Sequence, residues 1–94
     1  MNLGKAIKLC RNRKGMTQTA LATKIGLSVP YLSQIENGQK DPTLSTVEKI
    51  ANGLDVPINI LFFLGSSRDE VVGLKPELAE KLSHLALMCL DKDD

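Results

Sequence analysis

Thr17-Gln18-Thr19-Ala20-Leu21-Ala22-Thr23-Lys24-Ile25-Gly26-Leu27-Ser28-Val29-Pro30-Tyr31-Leu32-Ser33-Gln34-Ile35-Glu36-Asn37-Gly38 is the stretch on which the fold turns. Thr17 carries a hydroxyl that can accept a backbone N–H from the first turn of a helix, so it reads as an N-cap. Leu21, Ala22 and Ile25 then recur at helical spacing. Gly26 takes positive φ without strain, which ends the helix and makes a tight turn. Ser28 offers the cap of the next helix. Pro30 falls in the first turn of that helix, where backbone N–H groups have no intrahelical acceptor, so its missing donor costs little. Leu32 and Ile35 are the inward positions, and Gly38 terminates the helix. Ala22 is small where the two helices approach, and Leu21, Ile25, Leu27, Leu32 and Ile35 lock them at a fixed angle.

The flanks repeat the pattern. Leu3, Ala6, Ile7 and Cys10 share one face of a first helix, Leu3 to Lys14, ended by Gly15. After a polar loop at 39–42, Thr43 caps a fourth helix with the expected inward face Leu44, Val47, Ile50, Ala51 and Leu54. Gly53 is expected to permit its sharp exit. Val56-Pro57 opens a fifth helix, Ile58 to Leu64, and Gly65-Ser66-Ser67 marks a boundary. Residues 1–65 therefore form one expected domain and 66–94 a linker with a C-terminal helix. Pro76 fits the first turn of that helix. Leu78, Leu82, Leu85 and Cys89 form its main stripe, with Leu87 and Leu90 on another side. A terminal helix apolar over more than one face is expected to find a partner surface.

Composition supports packed helices. Hydrophobic residues make up 43% of the 94, but aromatics only 3%, so aliphatic side chains must fill the core. The net charge of +1 hides an asymmetry: residues 1–50 carry +5 and residues 51–94 carry −4. A basic front half is expected to face a polyanion, and an acidic back half is not. Cys10 and Cys89 sit in apolar-periodic stretches without metal-ligand neighbours, so buried reduced thiols in a cytoplasmic protein are expected. No signal peptide is apparent. The longest strongly apolar run, Ile60 to Leu64, is far too short to cross a bilayer.

Gln18-Thr19-Ala20-Leu21-Ala22, Gly26-Leu27-Ser28, Tyr31-Leu32-Ser33-Gln34-Ile35-Glu36-Asn37-Gly38, Pro42-Thr43-Leu44 and Ile50-Ala51-Asn52-Gly53-Leu54 together resemble the Cro/C1 (Xre) family of helix-turn-helix regulators. The resemblance covers about residues 5 to 64. It implies an all-α fold: a five-helix lambda-repressor-like DNA-binding domain, here followed by a C-terminal dimerisation helix. It also implies a dimeric regulator that binds a palindromic operator in double-stranded DNA. Val29, Pro30, Ser33 and Gln34 match the groove-facing positions of the recognition helix. Thr17, Gln18, Ser28, Tyr31, Asn37 and Lys40 are the expected phosphate-contacting set. Arg11 and Glu36 match a family pair that forms a salt bridge beneath the DNA face.

Physical chemistry ranks these positions. Gln34 can make a bidentate pair with adenine N6 and N7, whereas Val29 offers only a methyl contact suited to thymine. Pro30 has no donor, so DNA shape is expected to supplement direct readout. Lys5, Lys8 and Lys49 read as solvated charges, while Lys14 and Lys24 stand equally for phosphate contact or plain solvation.

Two elements are expected to hold the dimer: the exposed apolar part of helix five (Ile58, Leu61, Phe62, Phe63) and the tail helix (Leu78, Leu82, Leu85, Cys89). A tail folded back on its own domain is the alternative. A competing function is an antitoxin-type interaction module whose C-terminal helix binds a partner protein. His84 stands alone, and there is no serine-histidine-acid set, phosphate loop or supported carboxylate pair. Neither enzyme, metal nor cofactor is therefore expected, and no membrane partner.

Overall fold

A computed structural model describes residues 1–66 and, beyond them, Glu77, Glu80, Lys81, His84, Leu85, Leu87 and Met88. Five helices follow one another in the first part: α1 (Leu3–Arg13), α2 (Gln18–Ile25), α3 (Val29–Glu36), α4 (Leu44–Leu54) and α5 (Ile58–Gly65). There is no strand among the described residues. The all-α, five-helix expectation holds.

Local chemistry sets the boundaries. Thr17 Oγ1, Ser28 Oγ and Thr43 Oγ1 each accept the backbone N–H three residues on, capping α2, α3 and α4. Asn2 Oδ1 does the same for α1. Gly26, at φ 75°, closes α2 in the left-handed region that a side chain disfavours. None of the five helices has an acidic residue in its first turn.

The core is aliphatic. Ile7, Cys10, Leu21, Leu32, Ile50 and Leu61 are fully excluded from solvent, with Ala6, Ala22, Ile35, Val47, Ala51 and Leu54 around them. Full burial of each large aliphatic side chain contributes roughly 1.5–3 kcal/mol of transfer free energy. The main interhelical seams join α1 to α5, α2 to α3 and α4, and α1 to α3. Asn2 N–H donates to the Gly65 carbonyl, which ties the start of α1 to the end of α5.

Three expectations fail. Leu44 is not part of the inward face: it is 61% exposed, because it is the first residue of α4 and lies beyond the core edge. Leu61 is not on the exposed side of α5 but fully buried. Gly53 does not make the exit from α4. The left-handed residue there is Asp55, at φ 59°, while Gly53 is buried inside the helix. A Cβ on Gly53 would fall 2.4 Å from Ile25 Cγ2, so its bare backbone admits that side chain of α2.

Cys10 is a buried free thiol, and burial pushes its pKa up to about 11, with Lys14 acting weakly the other way. The described tail residues are helical. Leu87 is half-buried against the domain core, whereas Leu85 and Met88 are more than half exposed. Leu78, Leu82 and Cys89 lie outside the described residues. No helix among those described is long and apolar enough to cross a membrane.

Candidate nucleic-acid interface

The geometry of α2 and α3 rests on one buried ion pair. Arg11 Nε donates to Glu36 Oε2 at 2.9 Å and Arg11 Nη2 to Glu36 Oε1 at 3.0 Å, a bidentate fork that joins α1 to the end of α3. The third arm, Nη1, donates to the Met16 carbonyl at 2.9 Å, in the turn between α1 and α2. Gln18 Nε2 donates to Glu36 Oε1 at 3.1 Å, bringing in the first residue of α2. The Glu36 side chain is 1% exposed and that of Arg11 10%. One carboxylate thus collects three donors from two helices, and no buried side-chain polar atom among the described residues is left without a partner. The network ties α1, the start of α2 and the end of α3 together through a single buried carboxylate.

The outer surface of that pair carries the expected contact residues. Pro30 is exposed, Ser33 and Gln34 are half-buried, and Val29 is half-buried with part of its side chain against the core. None of the four is enclosed in the interior. Tyr31 is half-buried and also packs on the core cluster.

Thr17 and Ser28 are exposed at the starts of α2 and α3. Each hydroxyl oxygen accepts a capping N–H, which leaves its proton able to donate outward. Gln18 has one amide hydrogen committed to Glu36 and a second to spare.

The loop after α3 is built on the Gln34 carbonyl, which accepts from Gln39 N–H at 2.8 Å and Lys40 N–H at 3.3 Å. Gly38, at φ 78°, makes that reversal possible. Asn37, the C-cap of α3, is exposed and reaches Ser33 Oγ at 3.4 Å; Lys40 is exposed. Since Gln18 and Asn37 both adjoin Glu36, the start of α2 and the loop after α3 border the same region.

Other basic residues divide by what they touch. Lys24 Nζ donates to the Gly53 carbonyl at 2.9 Å, tying α2 to α4, a structural role the sequence did not disclose. Lys5, Lys8 and Lys49 are exposed. Sequence reasoning also missed Gly4, which is buried where α1 meets the end of α3. Its only signal was a small residue on the inward face of α1, between Leu3 and Ala6. Phe62 and Phe63 are both half-buried, Phe62 partly against the core. No group of three or more His, Cys, Asp or Glu among the described residues could hold a metal ion.

Comparison with known proteins agrees with this geometry. A helix-turn-helix family model matches residues 7–61. The immunity repressor protein of Bacillus phage phi105 is 38% identical over 61 residues, which is 65% of this chain and 42% of the repressor. Antitoxin HipB of Escherichia coli is 38% identical over 58 residues, 62% of this chain and 66% of the antitoxin. The chain thus spans less than two thirds of either relative. Among solved structures, the restriction-modification controller protein C.Esp1396I, a tetramer in complex with its natural 35 base-pair operator, superposes with a TM-score of 0.63. It is 36% identical, covering 67% of this chain and 83% of the controller.

Proposed function

This chain belongs to the helix-turn-helix family, and from that premise we propose that it is a sequence-specific DNA-binding transcription regulator acting in the cytoplasm. It binds a palindromic operator as a homodimer, with one α3 in the major groove of each half-site. Two such units reach half-sites about 34 Å apart, one turn of the duplex. Gln34 reads an adenine, Val29 and Pro30 meet thymine methyls or groove shape, and Ser33 adds a hydroxyl contact. Thr17, Gln18, Ser28, Tyr31, Asn37 and Lys40 hold the phosphates on either side. Residues 1–65 are the DNA-binding domain, and 66–94 with Phe62 and Phe63 supply the dimer contact. Occupying a promoter would block polymerase, which makes repression the simplest output.

The observation that carries this reading is the mounting of α3. Its end is clamped by the Arg11–Glu36–Gln18 network while Pro30, Ser33 and Gln34 keep solvent access. A rod fixed at this angle is what groove insertion needs. The test is selection of bound duplexes from a random pool at a stated salt concentration. The expected product is a two-fold symmetric motif. Gln34→Ala lowers affinity for it by about 1–3 kcal/mol and relaxes one position per half-site. A pool that stays unenriched refutes the proposal.

A second reading has its own support. Leu85 and Met88 are 56% and 55% exposed on the tail, and HipB, an antitoxin, is a relative. In that case the tail binds another protein, and Leu85→Glu abolishes that complex while leaving operator affinity and self-association intact. A tail that serves the dimer behaves the other way: Leu85→Glu yields monomers with weakened operator binding.

A further inference from the structure

Gly4 lies on the same face of α1 as Arg11, seven residues or about two turns away. Both meet the end of α3. Arg11 holds the Glu36 carboxylate. Gly4 meets the backbone of the same residue: a Cβ built on it would lie 2.4 Å from the Ile35 carbonyl oxygen, 2.7 Å from that of Glu36 and 3.0 Å from the Glu36 carbonyl carbon. These neighbours are main-chain atoms, so no rotamer change relieves the overlap; the helices themselves must part. The first turn of α1 is also seated elsewhere. Asn2 N–H donates to the Gly65 carbonyl, and a Cβ on Gly65 would come within 3.2–3.3 Å of Asn2 O and Leu3 Cα. A shift of α1 therefore disturbs its seat on α5, which directs displacement toward the end of α3.

We infer that Gly4 is a positioning residue for DNA recognition: its bare backbone sets how close α1 sits to the last turn of α3, and so where Gln34 and the Asn37–Lys40 loop stand. This inference rests on the DNA-binding reading above. The link is direct, because the displaced carbonyls end α3 and the neighbouring Gln34 carbonyl anchors the loop through the N–H groups of Gln39 and Lys40. Base-edge hydrogen bonds tolerate little displacement, whereas attraction of exposed lysines to the duplex depends weakly on it.

The experiment compares the full chain with Gly4→Ala, and with Ile50→Val as a control that loosens the core from α4, on neither of the two helices that meet at Gly4. Each is measured well below its melting temperature, with the folded fraction checked by circular dichroism. Affinity is read for the selected operator and for a scrambled duplex of the same length. Gly4→Ala is expected to lose about tenfold or more of its operator-over-scrambled ratio while keeping its scrambled-duplex affinity within about threefold. Ile50→Val is expected to keep the parent ratio. Because an excluded osmolyte favours the compact state without entering the interface, sucrose restores the fold if Gly4→Ala is unstable in buffer alone. A folded Gly4→Ala with the parent ratio overturns the inference. So does a loss shared equally by Ile50→Val, since Gly4 would then serve stability alone. A parent chain that cannot tell operator from scrambled duplex overturns the DNA-binding reading instead.

Discussion

Replacing Glu36 by Gln removes one charge and almost no volume, so it isolates what the buried pair contributes. The Glu36 carboxylate accepts from Arg11 Nε, Arg11 Nη2 and Gln18 Nε2. A glutamine amide has one acceptor oxygen and an NH2 group, so either orientation sets N–H against an Arg11 N–H. Arg11 then keeps the Met16 carbonyl and one bond to the remaining amide oxygen, while its other N–H loses its acceptor and its charge loses the counter-charge. Breaking a buried pair from one side costs about 3–5 kcal/mol when the remaining charge stays dry. The Arg11 side chain is 10% exposed and retains the Met16 bond, which moves the expectation below that range, to about 2–3 kcal/mol. For a domain of this size, 1 kcal/mol shifts the melting temperature by about 4–8 °C, so a fall of roughly 10–20 °C is expected. Thermal and urea unfolding of the parent, Glu36→Gln, Arg11→Met and the double variant form a double-mutant cycle. The two single losses should exceed the loss in the double variant by about 1–3 kcal/mol. Single losses that simply add, or a Glu36→Gln loss below about 0.5 kcal/mol, the level of a surface pair, would refute the assignment of this network as the clamp on α3.

Three further outcomes are expected. Lys40→Ala weakens binding to every duplex by a similar factor and flattens the slope of log affinity against log salt by about one unit per half-site; a loss confined to the operator contradicts a phosphate role. Asp55→Gly raises stability by about 0.5–1 kcal/mol in urea unfolding, because Asp55 sits at φ 59° with a Cβ that glycine lacks; unchanged or lower stability contradicts strain there. Cys10 gives an alkaline signature. Its thiol is neutral in the fold up to about 11 but ionises in the unfolded chain from 9.0, so its contribution is intact below 9.0. It is lost as pH climbs from there to about 11, by at most about 3 kcal/mol. Cys10→Ala should remove that decline from the difference curve, and identical pH profiles contradict a buried protonated thiol.

Features governed by near neighbours were legible in the sequence. The caps at Thr17, Ser28 and Thr43 act over three residues, and Gly26 acts on its own φ, so residue type alone announces them. Leu32 and Ile35 followed from spacing. What escaped was set by contacts between distant parts of the chain. Another helix approaches both Gly4 and Gly53, and their flanks say no more than that Gly4 shares the inward face of α1 with Leu3 and Ala6. Leu44 shares the period of the inward face, but period does not say where the core ends. In α5 nearly every residue is apolar, so the pattern marks no inward face and does not single out Leu61 as the buried position. Nothing in the pattern around Lys24 distinguishes it from a solvated lysine, because its acceptor, the Gly53 carbonyl, lies 29 residues away along the chain. At the interface, the resemblance pointed to Arg11 and Glu36, but Met16 and Gln18 as members of the same network follow only from the fold.

The lack of acidic side chains in the first turns of α1 to α5 has a thermodynamic consequence. A carboxylate there would favour its helix by about 0.3–1 kcal/mol through the macrodipole. The five helices forgo that gain, and α2 and α3 are capped by neutral hydroxyls. The free protein is correspondingly less stable than its helices could make it. An acidic residue placed in one of these first turns should accordingly raise stability, most at low ionic strength where screening is least.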